Sequence, residues 1–135
     1  MLRLLATLAA TAASAQNAKL VVVRAANNYA ETLNIAERFE EAKAWLRKVM
    51  PVARRVLSES HEVTLRMRWN CAEALWRHIG ATLGDLREAV NTLEEIERTA
   101  RQVLGSAHPM TKAIETSLRN ARAALRARET PSPSA

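Results

Sequence analysis

The chain is expected to be all-α, a solenoid of helical hairpins with five main helices in about two and a half repeats. Three observations predict this. Ala, Leu, Arg and Glu dominate, all good helix formers, while turn residues are scarce, with three glycines and four prolines in 135 positions. Apolar residues recur at helical spacing through most of the chain. The sequence also repeats itself. "ARRVLSESHEVT" (Ala53 to Thr64) returns as "ARQVLGSAHPMT" (Ala100 to Thr111), an offset of 47 residues. Before these, Val21, Arg24, Asn28, Ala30, Glu31 and Leu33 recur as Val63, Arg66, Asn70, Ala72, Glu73 and Leu75, at an offset of 42. Glu41-Ala42 recurs as Glu88-Ala89, again at 47. The repeat is therefore 42 residues long, and its second copy carries five extra residues between Leu75 and Ala89. Such a period signals stacked helix pairs, each unable to bury its apolar face alone.

Residues 1–17 read either as a signal peptide, with an apolar run and an Ala13-Ser14-Ala15 cleavage-like site, or as a partial helix packing on the first repeat. The first repeat spans 18–62. Its first helix (18–36) should bury Val22, Ala26, Tyr29, Ala30 and Leu33, and its second (39–57) Ala42, Leu46, Val49, Ala53 and Val56. Pro51 inside the second helix removes an amide donor and should kink it. The second repeat spans 63–108, with helices over 63–80 and 86–104 and the insertion between them. Gly105 is a natural helix stop and Pro109 a natural start. A fifth helix caps the array over 109–129, and the Pro/Ser-rich tail 130–135 reads as disordered. The repeated phrase is thus a joint. Leu57 and Leu104 are the last inward residues of a helix, His61 and His108 occupy the corner, and Thr64 and Thr111 lie in the next first turn.

Composition narrows the chemistry. A single cysteine, Cys71, allows no internal disulfide and reads as a small core residue. The formal charge of +6 raises nucleic acid, acidic peptides or membrane surfaces as partners, although acidic residues are mixed with the basic ones through the middle of the chain. No stretch is long and apolar enough to predict a membrane span. The two recurring histidines sit in separate corners without carboxylates or thiols at ligand spacing, so no metal is expected. No phosphate loop, nucleophile motif or isolated carboxylate pair is present, and neither catalysis nor a cofactor is expected. Glu94, Glu95 and Glu97 read as a solvated face. The expected location is cytoplasmic, or secreted or periplasmic if residues 1–15 are a signal.

The residues resemble the tetratricopeptide repeats of the kinesin light chain type. That pattern runs as an Asn-Leu-Ala-x-x-Leu helix, a Gly-Arg-Tyr-x-Glu-Ala corner, a Leu-rich helix, then Val-Leu-Gly-x-x-His-Pro-x-Thr. The first copy reads "NYAETL", "ERFEEA" and "VLSESHEVT"; the second reads "NCAEAL", "GDLREA" and "VLGSAHPMT". Glu37 stands where the corner glycine is expected, and Ser58 and Glu62 replace the later Gly and Pro, so the first joint should be looser than the second. The resemblance implies a right-handed solenoid and a protein-interaction role.

Beyond the core, a polar stripe repeats. Arg24, Asn28 and Glu31 lie at i, i+4 and i+7 of one helix face, and Arg66, Asn70 and Glu73 repeat the pattern. The resemblance implies that these six side chains line a groove gripping an extended peptide of a partner protein, which the basic balance would favour as acidic. An alternative is nucleic-acid binding by Arg119, Arg122 and Arg126 on the fifth helix, followed by Arg128. A further alternative is a structural fragment that homodimerises to cover its apolar ends.

Overall fold

The computed structural model describes residues 2–130. Five helices follow one another as α1 (Leu2–Ile35), α2 (Phe39–Val56), α3 (Glu62–Trp76), α4 (Leu83–Leu104) and α5 (Pro109–Glu129), and no strand occurs among the described residues. Each helix packs on its successor. α1 and α5 also lie against α3, whereas the backbones of α2 and α4 stay apart, with a cavity lined by side chains of both between them. The result is an all-α helical-repeat solenoid, with α1, α3 and α5 forming one layer and α2 and α4 the other. The tail expected to be disordered lies, beyond Thr130, outside the described residues.

The core is split across α3. Val63 and Met67 face Val23, Ala30, Leu46, Met50, Ala53 and Leu57 of the first hairpin. Leu65, Ala72 and Leu75 face Leu93, Ile96, Ala100, Ile114 and Leu118 of the second hairpin and the cap. Cys71 is half-buried and packs against both groups. Burial pushes its thiol above the ordinary value, the opposite of what an activated nucleophile needs.

α1 begins at Leu2 rather than near residue 18. Nothing between Leu2 and Ile35 is Gly or Pro, and the Ala/Leu-rich start has high helix propensity, so the helix has no reason to break. Its first half buries no side chain as a packed partial helix would, since residues 2–19 are all exposed, and it meets α2 through a hydrogen bond from Gln16 Nε2 to Val56 O at 3.4 Å. The buried face is also turned by one residue from expectation. Val23, Asn27, Ala30, Leu33 and Asn34 point inward, while Val22 and Tyr29 are 65% and 48% exposed. The run Val21-Val22-Val23 offers an apolar residue to either face, so periodicity could not select one. Asn27 and Asn34 select it by hydrogen-bonding to Asn70 of α3.

α1 closes with a Schellman motif. Arg38 N–H donates to Leu33 O at 2.8 Å and Glu37 N–H to Asn34 O at 3.0 Å. Glu37 takes φ 60° there, the left-handed region that favours glycine. α2 runs uninterrupted through Pro51, which lies on its exposed side. It buries Phe39, Ala42, Lys43, Leu46, Met50 and Ala53, leaving Val49 and Val56 only half-buried.

The insertion ends α3 at Trp76, short of residue 80, and starts α4 at Leu83, ahead of residue 86. The early start has a local cause. Thr82 Oγ1 accepts from Asp85 N–H and Asp85 Oδ2 accepts from Thr82 N–H, both at 3.0 Å, a complete capping box. Ala81 is buried beneath this turn.

The two joints match more closely than their sequences. His61 Nδ1 accepts from Val63 N–H and His108 Nδ1 accepts from Met110 N–H, each at 3.1 Å, so both histidines are N-caps. Their backbones agree within a few degrees (φ −65°, ψ 140° and φ −64°, ψ 136°), so the two corners share one geometry at the cap. The missing glycine acts one step earlier. Gly105 takes φ 95° after α4, whereas α2 ends at Val56 and Leu57 leaves it in extended conformation. Pro109 occupies the first turn of α5. Thr64 and Thr111 are fully buried one turn in, and neither Oγ1 finds a protein partner.

Replacing Glu37 by Gly should stabilise the protein by about 1 kcal/mol, because the left-handed conformation is strained for a residue with a Cβ. The urea midpoint would rise without a change in slope. The capping box gives a pH signature. The Thr82 backbone N–H beside Asp85 holds its carboxyl below its ordinary value. Its contribution to stability is therefore complete above about pH 4 and lost as pH falls through the lowered folded value. The stability difference between wild type and Asp85→Asn, measured by urea titration from neutral to acid, should be largest at the neutral end and shrink below that range.

Candidate functional site

Where α1, α3 and α5 lie side by side they leave a cavity of about 210 Å³ lined by both charges and amides. α1 supplies Asn27, Glu31 and Asn34; α3 supplies Arg66, Trp69, Asn70 and Glu73; Arg77 and Ser117 complete the rim. Four of the six stripe residues predicted from the repeat therefore line it: Glu31, Arg66, Asn70 and Glu73. Arg24 and Asn28 do not. Both are exposed on the part of α1 that α3 leaves uncovered.

Three hydrogen bonds build the floor, and two of them join equivalent positions of successive repeats. Asn70 Nδ2 donates to Asn27 Oδ1 at 2.8 Å, and Asn34 Nδ2 donates to the Asn70 carbonyl at 2.9 Å, tying α3 to α1. One repeat on, Trp69 Nε1 donates to Ser117 Oγ at 2.9 Å, tying α3 to α5. By the offsets of 42 and 47, Trp69 corresponds to Asn27 and Ser117 to Asn70. Asn27 and Asn34 are buried, and the Asn34 Oδ1 has no partner within the protein. Such an acceptor is costly to leave unmet, by about 1–3 kcal/mol.

Glu73 sits at the centre of the α3 surface. Its Oε1 accepts from the indole N–H of Trp76 at 3.1 Å and of Trp69 at 3.3 Å, and its Oε2 lies 3.9 Å from Arg77 Nε. The Arg77 guanidinium in turn stacks 5.3 Å over the Phe39 ring. Arg66 is held by Glu62 one turn earlier at 3.1 Å, with both side chains partly exposed. The rim thus carries two cations and two carboxylates, and its polarity is balanced.

The arginine face proposed for nucleic acid is partly occupied within the protein. Arg122 pairs with Glu94 at 3.1 Å, and Arg128 Nη1 donates to Ala81 O at 2.7 Å, while Arg119 and Arg126 line an open cavity of about 550 Å³ with Glu97, Arg101 and Glu115. The acidic run on α4 is not simply solvated, because Glu95 pairs with Arg68 of α3 and Glu97 with Arg101. Among the described residues no three His, Cys, Asp or Glu side chains converge as metal ligands, and no helix is long and apolar enough to cross a membrane.

Periodicity alone missed Asn27, Asn34, Trp69, Arg77 and Ser117. The repeat offset carried a signal for two of them, since Trp69 and Ser117 occupy the positions of Asn27 and Asn70. A search for identical letters passes over such pairs.

Residues 21–82 match the family model of the tetratricopeptide repeat. That span covers the supported half of α1, α2, α3 and the turn before α4, and it supports a tetratricopeptide repeat there. Repeats of this family generally mediate protein–protein interactions and are typically non-catalytic. Comparisons with curated proteins and with solved structures found no match.

The geometry separates two asparagines that the repeat pattern treats as equals. Asn70→Ala should cost about 1–3 kcal/mol in urea unfolding, because it strands the buried Asn27 carbonyl oxygen. Asn28→Ala, on an exposed face, should stay within about 0.5 kcal/mol of wild type.

Proposed function

We propose that this chain is a non-catalytic interaction module that captures a peptide segment of a partner protein in the groove formed by α1, α3 and α5. The observation that carries the reading is the polar cavity at their junction, where Glu31, Arg66, Asn70, Glu73 and Arg77 converge from α1, α3 and the turn that follows it. An extended peptide offers alternating backbone donors and acceptors, and amide side chains can pair with both. Rigid helices hold these groups in place before binding, which lowers the entropy lost on capture.

The repeats are further assigned to the kinesin light chain-like type. Support comes from the second joint, where Gly105 at positive φ, His108 as N-cap and Pro109 in the first turn occur in the order the motif requires. The preference for an acidic segment rests on the net charge of +6 over the whole chain. The groove rim itself, with two arginines and two glutamates, would read a mixed sequence. The nucleic-acid reading is the weaker one, because Arg122 and Arg128 are engaged within the protein.

Peptides selected from a random display library against the full chain provide the test. Glu31→Ala with Arg66→Ala changes exposed or half-exposed rim residues and should weaken the selected peptides about tenfold or more, as loss of charge-assisted hydrogen bonds predicts. Arg24→Ala with Asn28→Ala should leave their affinity unchanged. Equal affinity for the rim variant and wild type, measured by calorimetry, would remove the groove from consideration.

A further inference from the structure

The first half of α1 projects from the body, tied to it by a hydrogen bond from Gln16 Nε2 to Val56 O at 3.4 Å, and its surface is not neutral in design. Leu4, Leu8, Thr11, Ala15, Ala18, Val22, Ala25 and Tyr29 recur at alternating spacings of four and three, so they form one continuous stripe that winds slowly around the helix. Every one of them is exposed, with Leu4 at 64%, Leu8 at 59% and Val22 at 65%. The charged residues of α1, Arg3, Lys19, Arg24 and Glu31, all lie off it. At its far end the stripe meets an open apolar cavity of about 440 Å³ between α1 and α2, walled by Val22, Ala26, Trp45, Val49, Val52 and Met67. Trp45 continues this wall to Tyr29, whose ring meets it edge-on at 5.1 Å.

We propose that this surface is the interface of an antiparallel homodimer, in which the projecting half of α1 from each copy lies in the α1–α2 groove of the other. The stripe is complementary to itself in one register. Leu4 then faces Tyr29, Leu8 faces Ala25, Thr11 faces Val22 and Ala15 faces Ala18, and the same contacts recur across the two-fold axis. Large residues at the start of the stripe meet the groove, and the alanines meet at the axis, where small side chains let two helices approach to about 8 Å. Leu5, just off the stripe, falls beside Ala26 and so enters the same cavity. A parallel pair would instead set Leu4 on Leu4 and bring the two bulky α1–α2 faces against one another, leaving the groove unfilled.

The occupant is a second copy because the complementary surface belongs to the chain itself. The projecting half and the α1 wall of the groove lie on one stripe, on opposite sides of its midpoint. Lys19, beside Ala18, is the charged residue of α1 nearest the axis, and the stripe itself carries no charge. The opposite end of the solenoid is different in kind, since the cavity between α4 and α5 is walled by arginines and glutamates. Association through α1 therefore closes as a pair and does not propagate.

Light scattering on the full chain at about 100 µM, well above the micromolar dissociation constants of modest helical interfaces, should give twice the monomer mass. Leu8→Glu should raise the dissociation constant at least about a hundredfold, because it removes two symmetry-related buried leucines. Disulfide trapping reads the register. In a Cys71→Ser background, Leu8→Cys with Ala25→Cys should yield a covalent dimer, while Leu8→Cys alone should not. Positions 8 and 25 of one helix are about 26 Å apart, so no bond within a chain competes. A monomeric mass, a covalent dimer from Leu8→Cys alone, or no covalent dimer from the double-cysteine chain would each overturn the proposal.

Discussion

The structure depends on one helix being buried from two sides. α3 gives Val63 and Met67 to the first hairpin and Leu65, Ala72 and Leu75 to the second, so neither core is complete without it. A helix in that position must be apolar over most of its circumference. Apart from Arg68, which turns to Glu95 of α4, the polar groups between the two cores share a narrow strip filled by Arg66, Asn70 and Glu73. The candidate groove is the space left over by the packing of α3. Even there, Asn70 and Trp69 serve both roles, bridging to α1 and α5 while forming the floor of the cavity.

The repeats keep their geometry while changing their chemistry. An amide pair joins α1 to α3, and an indole and a hydroxyl do the same for α3 and α5 at equivalent positions. The joints behave alike. Histidine caps both following helices at the same distance, although one joint has Gly and Pro and the other has neither. Where glycine is absent, the chain either accepts a left-handed glutamate, as at Glu37, or leaves the helix a residue sooner, as at Leu57. Each substitution is absorbed within a residue or two, so the stacking of helices is preserved.

Much of this was legible in the sequence, and the exceptions have physical causes. The all-α repeat fold followed from self-similarity and composition, because a hairpin that cannot bury its own face must stack. Gly105, His108 and Pro109 were recognisable as a joint because each acts locally. The features that could not be read were decided by tertiary pairing. Asn27 and Asn34 are polar residues that become buried only because Asn70 meets them, and a search for apolar periodicity places such residues outside. That single inversion turned the expected inner face of α1 by one position, exposing Val22 and Tyr29. It also leaves Asn28 and Arg24 outside the polar cavity between α1, α3 and α5. Thr82 and Asp85, a local signal, were passed over because the repeat offset drew the helix start to residue 86.

The bridge between α1 and α3 also has a consequence in time. Asn27 and Asn70 are separated by 43 positions, more than a full hairpin. A chain growing at about 5–20 residues per second would present the first asparagine roughly two to nine seconds before its partner is made. During that interval α1 and α2 can pair, but two amides on their inner face remain hydrated and their hydrophobic wall stays open. The first hairpin is thus held unfinished by its own polar residues. The ribosome, by delivering α3, sets the moment at which the fold commits.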